Sequence, residues 1–254
     1  MRKRYLELLY FLTLKQIKVR YKQTVLGASW VMLRPLITMV VFTIVFSKFA
    51  KIQSDGIPYP IFSYCALLPW MFFSGALTSA ISSIVDNSNL IKQIYFPREI
   101  FPFSAILAGL FDFFAASIIF IGIAIFYKIN ATILILLVPV LLFLQILFTL
   151  GVSFFLSALN VKYRDISHAA AFIIQIWMFA SPIVYPVSAV PENLRPFYML
   201  NPMAAIIDGY RRVILQGETP EWNYLLLAAF ITLIVCGLAY KYFKRSELTF
   251  ADIV

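Results

Sequence analysis

Residues 20–35 read RYKQTVLGASWVMLRP, and they mark the point where a basic segment becomes an apolar one. Arg20 and Lys22 stand before Gly27, and the run that opens at Trp30 stands after it. A glycine lets the backbone turn, tryptophan favours the headgroup level of a bilayer, and an arginine such as Arg34 reaches back toward phosphate while its stem stays in hydrocarbon. The junction therefore predicts a helix lying on a membrane surface that turns at Gly27, with Trp30 and Arg34 at the membrane interface and Pro35 just inside the span.

Composition agrees with that reading. Of the 254 residues, 62% are hydrophobic and only 13% are charged, and the mean hydropathy is +0.87. This is the balance of a membrane protein and excludes an ordinary soluble domain. A hydrocarbon layer about 30 Å thick needs about 20 apolar residues in a helix. Six runs approach that length: residues 30–50, broken only by Arg34 and Lys48 near its ends; 60–85, without a charge; 103–127, with the single acid Asp112; 132–159, uncharged, with Pro139 and Gln145 inside; 168–185, which is short; and 222–240. The expected fold is a single all-α polytopic membrane domain, residues 1–254, with six transmembrane helices.

An even number of spans puts both termini on one side, and the basic residues say which. Lys and Arg crowd the chain up to Arg34, then recur at Lys92 and Arg98, Lys162 and Arg164, and Lys241, Lys244 and Arg245. Only Lys48, Lys51, Lys128, Arg195, Arg211 and Arg212 fall opposite. Basic loops stay inside, so both termini are expected in the cytoplasm. The net charge of +9 follows this topology, which argues against a nucleic-acid partner. Cys65 and Cys236 lie within expected spans, where cysteine behaves as a small apolar residue. The start, MRKRYLELLYFLTLKQ, is interrupted by Glu7 and offers no small-residue cleavage site, so it is expected to be retained.

Three segments outside the spans carry information. In residues 1–23, Arg4, Lys15, Lys18 and Lys22 fall within about 60° of one another on a helical wheel, with Leu6, Leu9, Leu12 and Ile17 opposite. That amphipathic helix is either a basic anchor on anionic lipid or a platform for a cytoplasmic partner, and the two roles coexist readily. In residues 86–102, DNSNLIKQIYFPREIFP, Asp86 or Asn87 is placed to cap a short helix, with Leu90, Ile91 and Ile94 as its apolar stripe and Pro97 as its end. It reads as an interfacial connector or as a knob that fits a groove on a cytoplasmic protein. Residues 186–221, rich in Pro yet apolar, are too interrupted for two spans, and short helices broken at Asn201-Pro202 are expected. Irregular backbone at membrane depth is tolerated only inside protein or along a cavity, so a re-entrant hairpin fits, the alternative being a segment lying on the outer leaflet.

Little here performs covalent chemistry. One histidine, His168, makes no metal site, and the inner loops offer only the scattered Asp86, Glu99 and Asp165 as acids. No GxxxxGK[ST] phosphate loop is present. Asp112 is the acid deepest in a span, where an interhelical hydrogen bond or a proton relay are the alternatives.

The junction RYKQTVLGASWVMLRP, the loop IKQIYFPREIFP, the NVKYRDI that follows residue 159 and the stretch SPIVYPVSAVPENLRPFYMLNPMAAIIDGYRRVIL together resemble the permease subunit of bacterial ABC transporters that export O-antigen, capsule or teichoic acid. The resemblance spans nearly the whole chain. It implies a homodimeric permease in the inner membrane, two copies of a separate cytoplasmic ABC ATPase that carry the ATP and Mg, no cofactor on this chain, and lipid-linked polysaccharide as cargo. It implies further that residues 1–23 form an interface helix, that residues 86–99 form a coupling helix, and that 186–221 hold outer gate helices. On that basis Asn87, Leu90, Ile91, Lys92, Tyr95 and Arg98 are expected to meet the ATPase, with Arg98 and Glu99 paired locally at the exit. Sugars present apolar C–H faces beside hydroxyls, so Phe42, Phe46, Phe49, Phe172, Trp177, Phe179 and Tyr185 are candidate channel-lining aromatics, and Tyr198 and Tyr210 candidate outer-gate residues. Competing readings are an exporter of a small lipid or drug and, in a different class, a proton-coupled secondary transporter that depends on Asp112.

Overall fold

The computed structural model describes residues 2–22, 27, 29–93 and 96–250. Among them there is no strand. The N-terminal helix, α1 (Arg2–Tyr21), packs one apolar face inward through buried Leu12 and leaves Leu6, Tyr10, Phe11 and Val19 exposed. Across the junction, α2 (Ser29–Phe42) carries Pro35 within it and continues as a wider π-helical turn over Thr43–Phe49. The hydroxyls of Thr38 and Thr43 donate to the carbonyls of Arg34 and Met39, a back-bond that suits a helix already bent by proline.

Helix α3 (Tyr59–Ser82) is the axis of the molecule. Nearly every side of it is covered, by α2 and by α5 (Ile100–Phe126), α6 (Val138–Lys162), α7 (Ile166–Phe179) and α9 (Pro202–Arg211). A helix apolar all round belongs in the centre of a bundle. Its aromatic residues organise the packing: Phe73 stacks on Phe148 of α6 at 5.7 Å and meets Trp177 of α7 edge-on at 5.1 Å. The last long helix, α10 (Trp222–Glu247), lies along α6. They approach so closely at Gly151 that a Cβ there would sit 3.0 Å from the sulfur and 3.1 Å from the backbone nitrogen of Cys236.

Between α3 and α5 the chain makes a single 3-10 turn, Val85–Asn87, and the short helix α4 (Ser88–Gln93). Neither Asp86 nor Asn87 caps it as expected. Asp86 accepts from the Ser82 hydroxyl and the Asn87 amide donates to the Ser83 carbonyl, both closing off the end of α3 instead. On the other side of the bundle, residues 180–201 form turns around the one-turn α8 (Arg195–Tyr198), and the break at Asn201-Pro202 opens α9. There Asn201 is the N-cap, its side chain accepting from the Met203 amide at 3.1 Å.

Five helical segments among the described residues are long and apolar enough to cross a membrane: Ser29–Phe49, Tyr59–Ser82, Ile100–Phe126, Ile133–Lys162 and Trp222–Glu247. The run 168–185 is not one of them, because its helix ends at Phe179 after 14 residues. Pro182 disfavours helical geometry at Ser181 and supplies no amide hydrogen, and its own carbonyl and those of Ile183 and Tyr185 turn to a side chain of another helix.

The α6–α10 contact yields a prediction. Gly151→Val must push α10 away or distort it, and the protein is expected to lose about 1–3 kcal/mol of stability, read as a lower Tm in detergent.

Candidate functional site

Charged and polar side chains gather at three levels. At the foot of the bundle the chain between α3 and α5 is held from two directions. Lys15 of α1 donates to the Asn87 side chain at 2.9 Å. From the other side Lys244, near the end of α10, pairs with Glu99 and, at 2.9 Å, with Glu247, while Glu247 accepts the backbone N–H of Arg98 at 2.7 Å. The expected local pairing of Arg98 with Glu99 is replaced by these contacts. The Arg98 side chain donates to the Ile91 carbonyl and lies over the Phe96 ring. Tyr5 sits beside the cluster, and burial together with the Glu99 carboxylate pushes its phenol up from the usual range.

The segment does not present all the residues expected to face a partner. Lys92 is exposed and Leu90 and Asn87 are half-buried. Ile91, only 2% exposed, is an anchor packed into the core, and Arg98 is buried as well. In so short a helix one side must fasten it to the bundle, and Ile91 occupies that side. Tyr95 and Ile94 lie outside the described residues.

Further up, Asp112 of α5 finds the partners its sequence neighbourhood lacks. Arg20 of α1 donates to one carboxylate oxygen at 2.5 Å and to the Ser79 hydroxyl at 2.8 Å, and the Tyr21 hydroxyl donates to the other oxygen at 2.5 Å. Burial and the Asp112 hydrogen bond both push the Tyr21 phenol up, so it stays a donor. Gln16 donates to Ser104 lower on α5, so α1 leans along that helix rather than lying apart from it. Trp30, Arg34, Ser79, Gln175 and Asp112 line a cavity of about 550 Å³ beside this cluster. Trp30 and Arg34 remain exposed.

At the far end a buried cation orders the irregular backbone. Arg211, 3% exposed, donates to the carbonyls of Phe62 at 3.3 Å, Pro182 at 2.5 Å, Tyr185 at 3.3 Å and Ile183 at 2.8 Å, with its guanidinium 3.5 Å above the Phe62 ring. Nothing in the one-dimensional pattern singled it out from Arg212, which lies in a more open network with Asp208, Glu218 and Glu221. The two tyrosines proposed for an outer gate part company. Tyr198 is half-buried and donates to the Tyr185 hydroxyl at 3.3 Å. Tyr210, 2% exposed, is an interior residue that donates to Gln145, whose amide in turn donates to the Pro69 carbonyl at 2.6 Å. Tyr210 thus joins α9 to α6 and α3 and does not stand at an opening.

The candidate lining aromatics are not brought to one surface within this chain. Phe49, Phe172 and Phe179 are exposed. Phe42 and Phe46 pack edge-on at 5.3 Å and are half-buried. Trp177 is turned into the core against Phe73 and Phe148, its indole N–H donating to Asn201, and Tyr185 is half-buried with its hydroxyl on the Phe179 carbonyl. No group of three or more His, Cys, Asp or Glu with metal-binding spacing occurs among the described residues.

Membrane-length apolar helices around a buried pillar, with the described ion pairs gathered toward the two ends and at the α1–α5 contact, define a polytopic membrane domain. The chain belongs to the ABC-2 type transporter family, whose model matches residues 7–215. It is similar over 98% of its length to the O-antigen export system permease protein of Myxococcus xanthus, at 28% identity and covering 96% of that protein. A second O-antigen export system permease protein, from Klebsiella pneumoniae, is 28% identical over 98% of this chain and 95% of its own. The polysialic acid transport protein of Escherichia coli is 20% identical over 94% of both.

Two predictions follow from these clusters. Arg20→Met and Asp112→Leu are each expected to destabilise the protein by about 2 kcal/mol, and the double variant to cost less than their sum, as read from Tm in a double-mutant cycle. Additive losses would show that the pair does not hold α1 to α5. Arg211→Lys, which keeps the charge but not the fork, is expected to cost about 1–3 kcal/mol and to speed proteolysis within 180–201.

Proposed function

We propose that this chain is the membrane subunit of an ATP-driven exporter that moves lipid-linked polysaccharide outward across the bacterial inner membrane, as a homodimer with two copies of a separate ATPase. The observation that carries the reading is end-to-end likeness: an export system permease and a transport protein named for two different glycans align with at least 94% of the chain.

The geometry supports the finer parts. Tyr5 near the chain's start sits beside Glu99 and Lys244 near its end, which favours termini on one side and an even number of crossings. With five long helices, α7 is then the sixth, about 21 Å long by helical rise. The remaining thickness falls to residues 180–201 and the buried α9, which act as a re-entrant unit folded back from the outer side. The exposed apolar faces of α2 and α7 supply surface for the second copy, and Phe172 and Phe179 on α7 face the space between copies. Residues 86–99 act as the coupling element, with Lys92 and Leu90 toward the ATPase. Asp112 serves as a structural partner of Arg20. A carboxylate with both oxygens engaged by donors is a poor candidate for proton coupling, and this weakens the secondary-transporter reading.

The test is reconstitution with the ATPase subunit. Lys92→Glu combined with Leu90→Asp is expected to release the ATPase on purification and abolish ATP-dependent glycan transport, while Asp112→Asn keeps ATP-dependent transport. Transport by the isolated chain, sensitive to Asp112→Asn and indifferent to ATP, would sink the exporter reading.

A further inference from the structure

The 86–99 segment ends at a backbone that α5 alone does not hold. Arg98 follows Pro97 and precedes the first turn of α5, so its N–H has no place in the helical ladder. That N–H is taken by Glu247 at 2.7 Å, and the next residue, Glu99, is taken by Lys244, which is bound to Glu247 as well. Two acids and a lysine therefore fasten the exit of the segment to the last turns of α10. The side chains are 35% exposed for Lys244 and 18% for each acid, shielded enough to hold one geometry. Beside Lys244 in α10, Phe243 is fully buried against Phe154 of α6 and Phe250, so the foot of α10 is packed onto α6.

What lies at the other end of α10 gives the clamp its meaning. The helix runs 26 residues without a proline, about 39 Å by helical rise. It is seated on α6 through the Gly151–Cys236 contact, and the Cys236 thiol donates to the Leu147 carbonyl at 2.9 Å. Near its top, the fully buried Ala228 belongs to a separate packed cluster with Val187, Met199, Ala204 and Ala205, all from the outer irregular segment and α9. A stiff element thus has its foot on the cytoplasmic segment and its head in the outer one.

We propose that Lys244 is a positioning residue for energy coupling: it makes the 86–99 segment and α10 move together, so that displacement of the segment reaches the outer segment through α10 as well as through α5. The proposal rests on the exporter reading above. Glu99 and Glu247 are the two anchors, and α6 travels with α10.

The experiment uses the full chain with its ATPase subunit in proteoliposomes, measuring ATP hydrolysis and glycan moved on the same sample. Lys244→Gln is expected to keep the ATPase bound and to hydrolyse ATP at close to the normal rate. Glycan moved per ATP is expected to fall by about tenfold, within the range of ordinary coupling energies. Lys244→Arg, and the swap Lys244→Glu with Glu99→Lys, are expected to restore the ratio, which a merely structural loss would not predict. A normal ratio in Lys244→Gln overturns the proposal. So does a parallel fall of hydrolysis and transport that Lys244→Arg fails to rescue. Independently of that variant's folding, a thiol cross-link between Glu99→Cys and Lys244→Cys is expected to leave transport intact, because the joined residues do not separate in the cycle; blocked transport overturns the proposal. A wild-type chain that retains no ATPase overturns the exporter reading, and the proposal with it.

Discussion

The guanidinium of Arg211 holds together the irregular segment that follows α7. Among the described residues all its hydrogen bonds go to backbone carbonyls: three in the turn after α7 and one at the start of α3. A bilayer offers no water to unpaired peptide groups, so a chain that leaves the helical ladder at depth must find donors within the protein. One planar fork supplies several at once, and the ring of Phe62 covers its face. The short α7, the turns after it and the buried α9 depend on that arrangement, and Trp177 and Asn201 extend it toward the aromatic core.

The same constraint explains where the other polar groups lie. Gln145, wholly buried in α6, joins the Pro69 carbonyl to the Tyr210 hydroxyl. In the interior of α3 a proline takes one amide out of the helical ladder, and a neighbouring side chain supplies an added donor at that proline. Asp112 is matched by Arg20 and Tyr21, and Asn160 donates to the Ile81 carbonyl near the end of α3. Each of these contacts crosses between helices. They fix which helices are neighbours, while the apolar surface fixes only that they gather.

For transport the consequence is a division of labour. The centre, α3 with α5, α6 and α10, is densely packed and changes shape reluctantly. The charged and polar contacts lie toward the ends, at the foot through Lys15, Asn87, Glu99 and Lys244, and at the far end through Tyr185, Tyr198 and Arg211. Helices α2 and α7 remain exposed along much of their length, and it is on them that Phe42 and Phe172 sit. An export path made between two copies would use these faces without opening the core of either.

Length and apolarity of each run, read along the chain, were enough for an all-helical membrane protein with long apolar helices, for the break at Asn201-Pro202 and for the short helix before Pro97. Those features depend on the solvent each residue meets and on local backbone rules, and both leave their mark in consecutive residues. The tertiary structure alone decided that Ile91 anchors rather than faces outward, that Trp177 packs against the core and Tyr210 lies within it, and that Glu99 pairs with Lys244. It also supplied Arg20 as the partner of Asp112. A polar side chain on a helix has its hydrogen-bonding capacity written in its own identity, but its partner is whichever group the neighbouring helix brings within about 3 Å. That choice is made by packing between segments far apart in the chain, and no single segment records it.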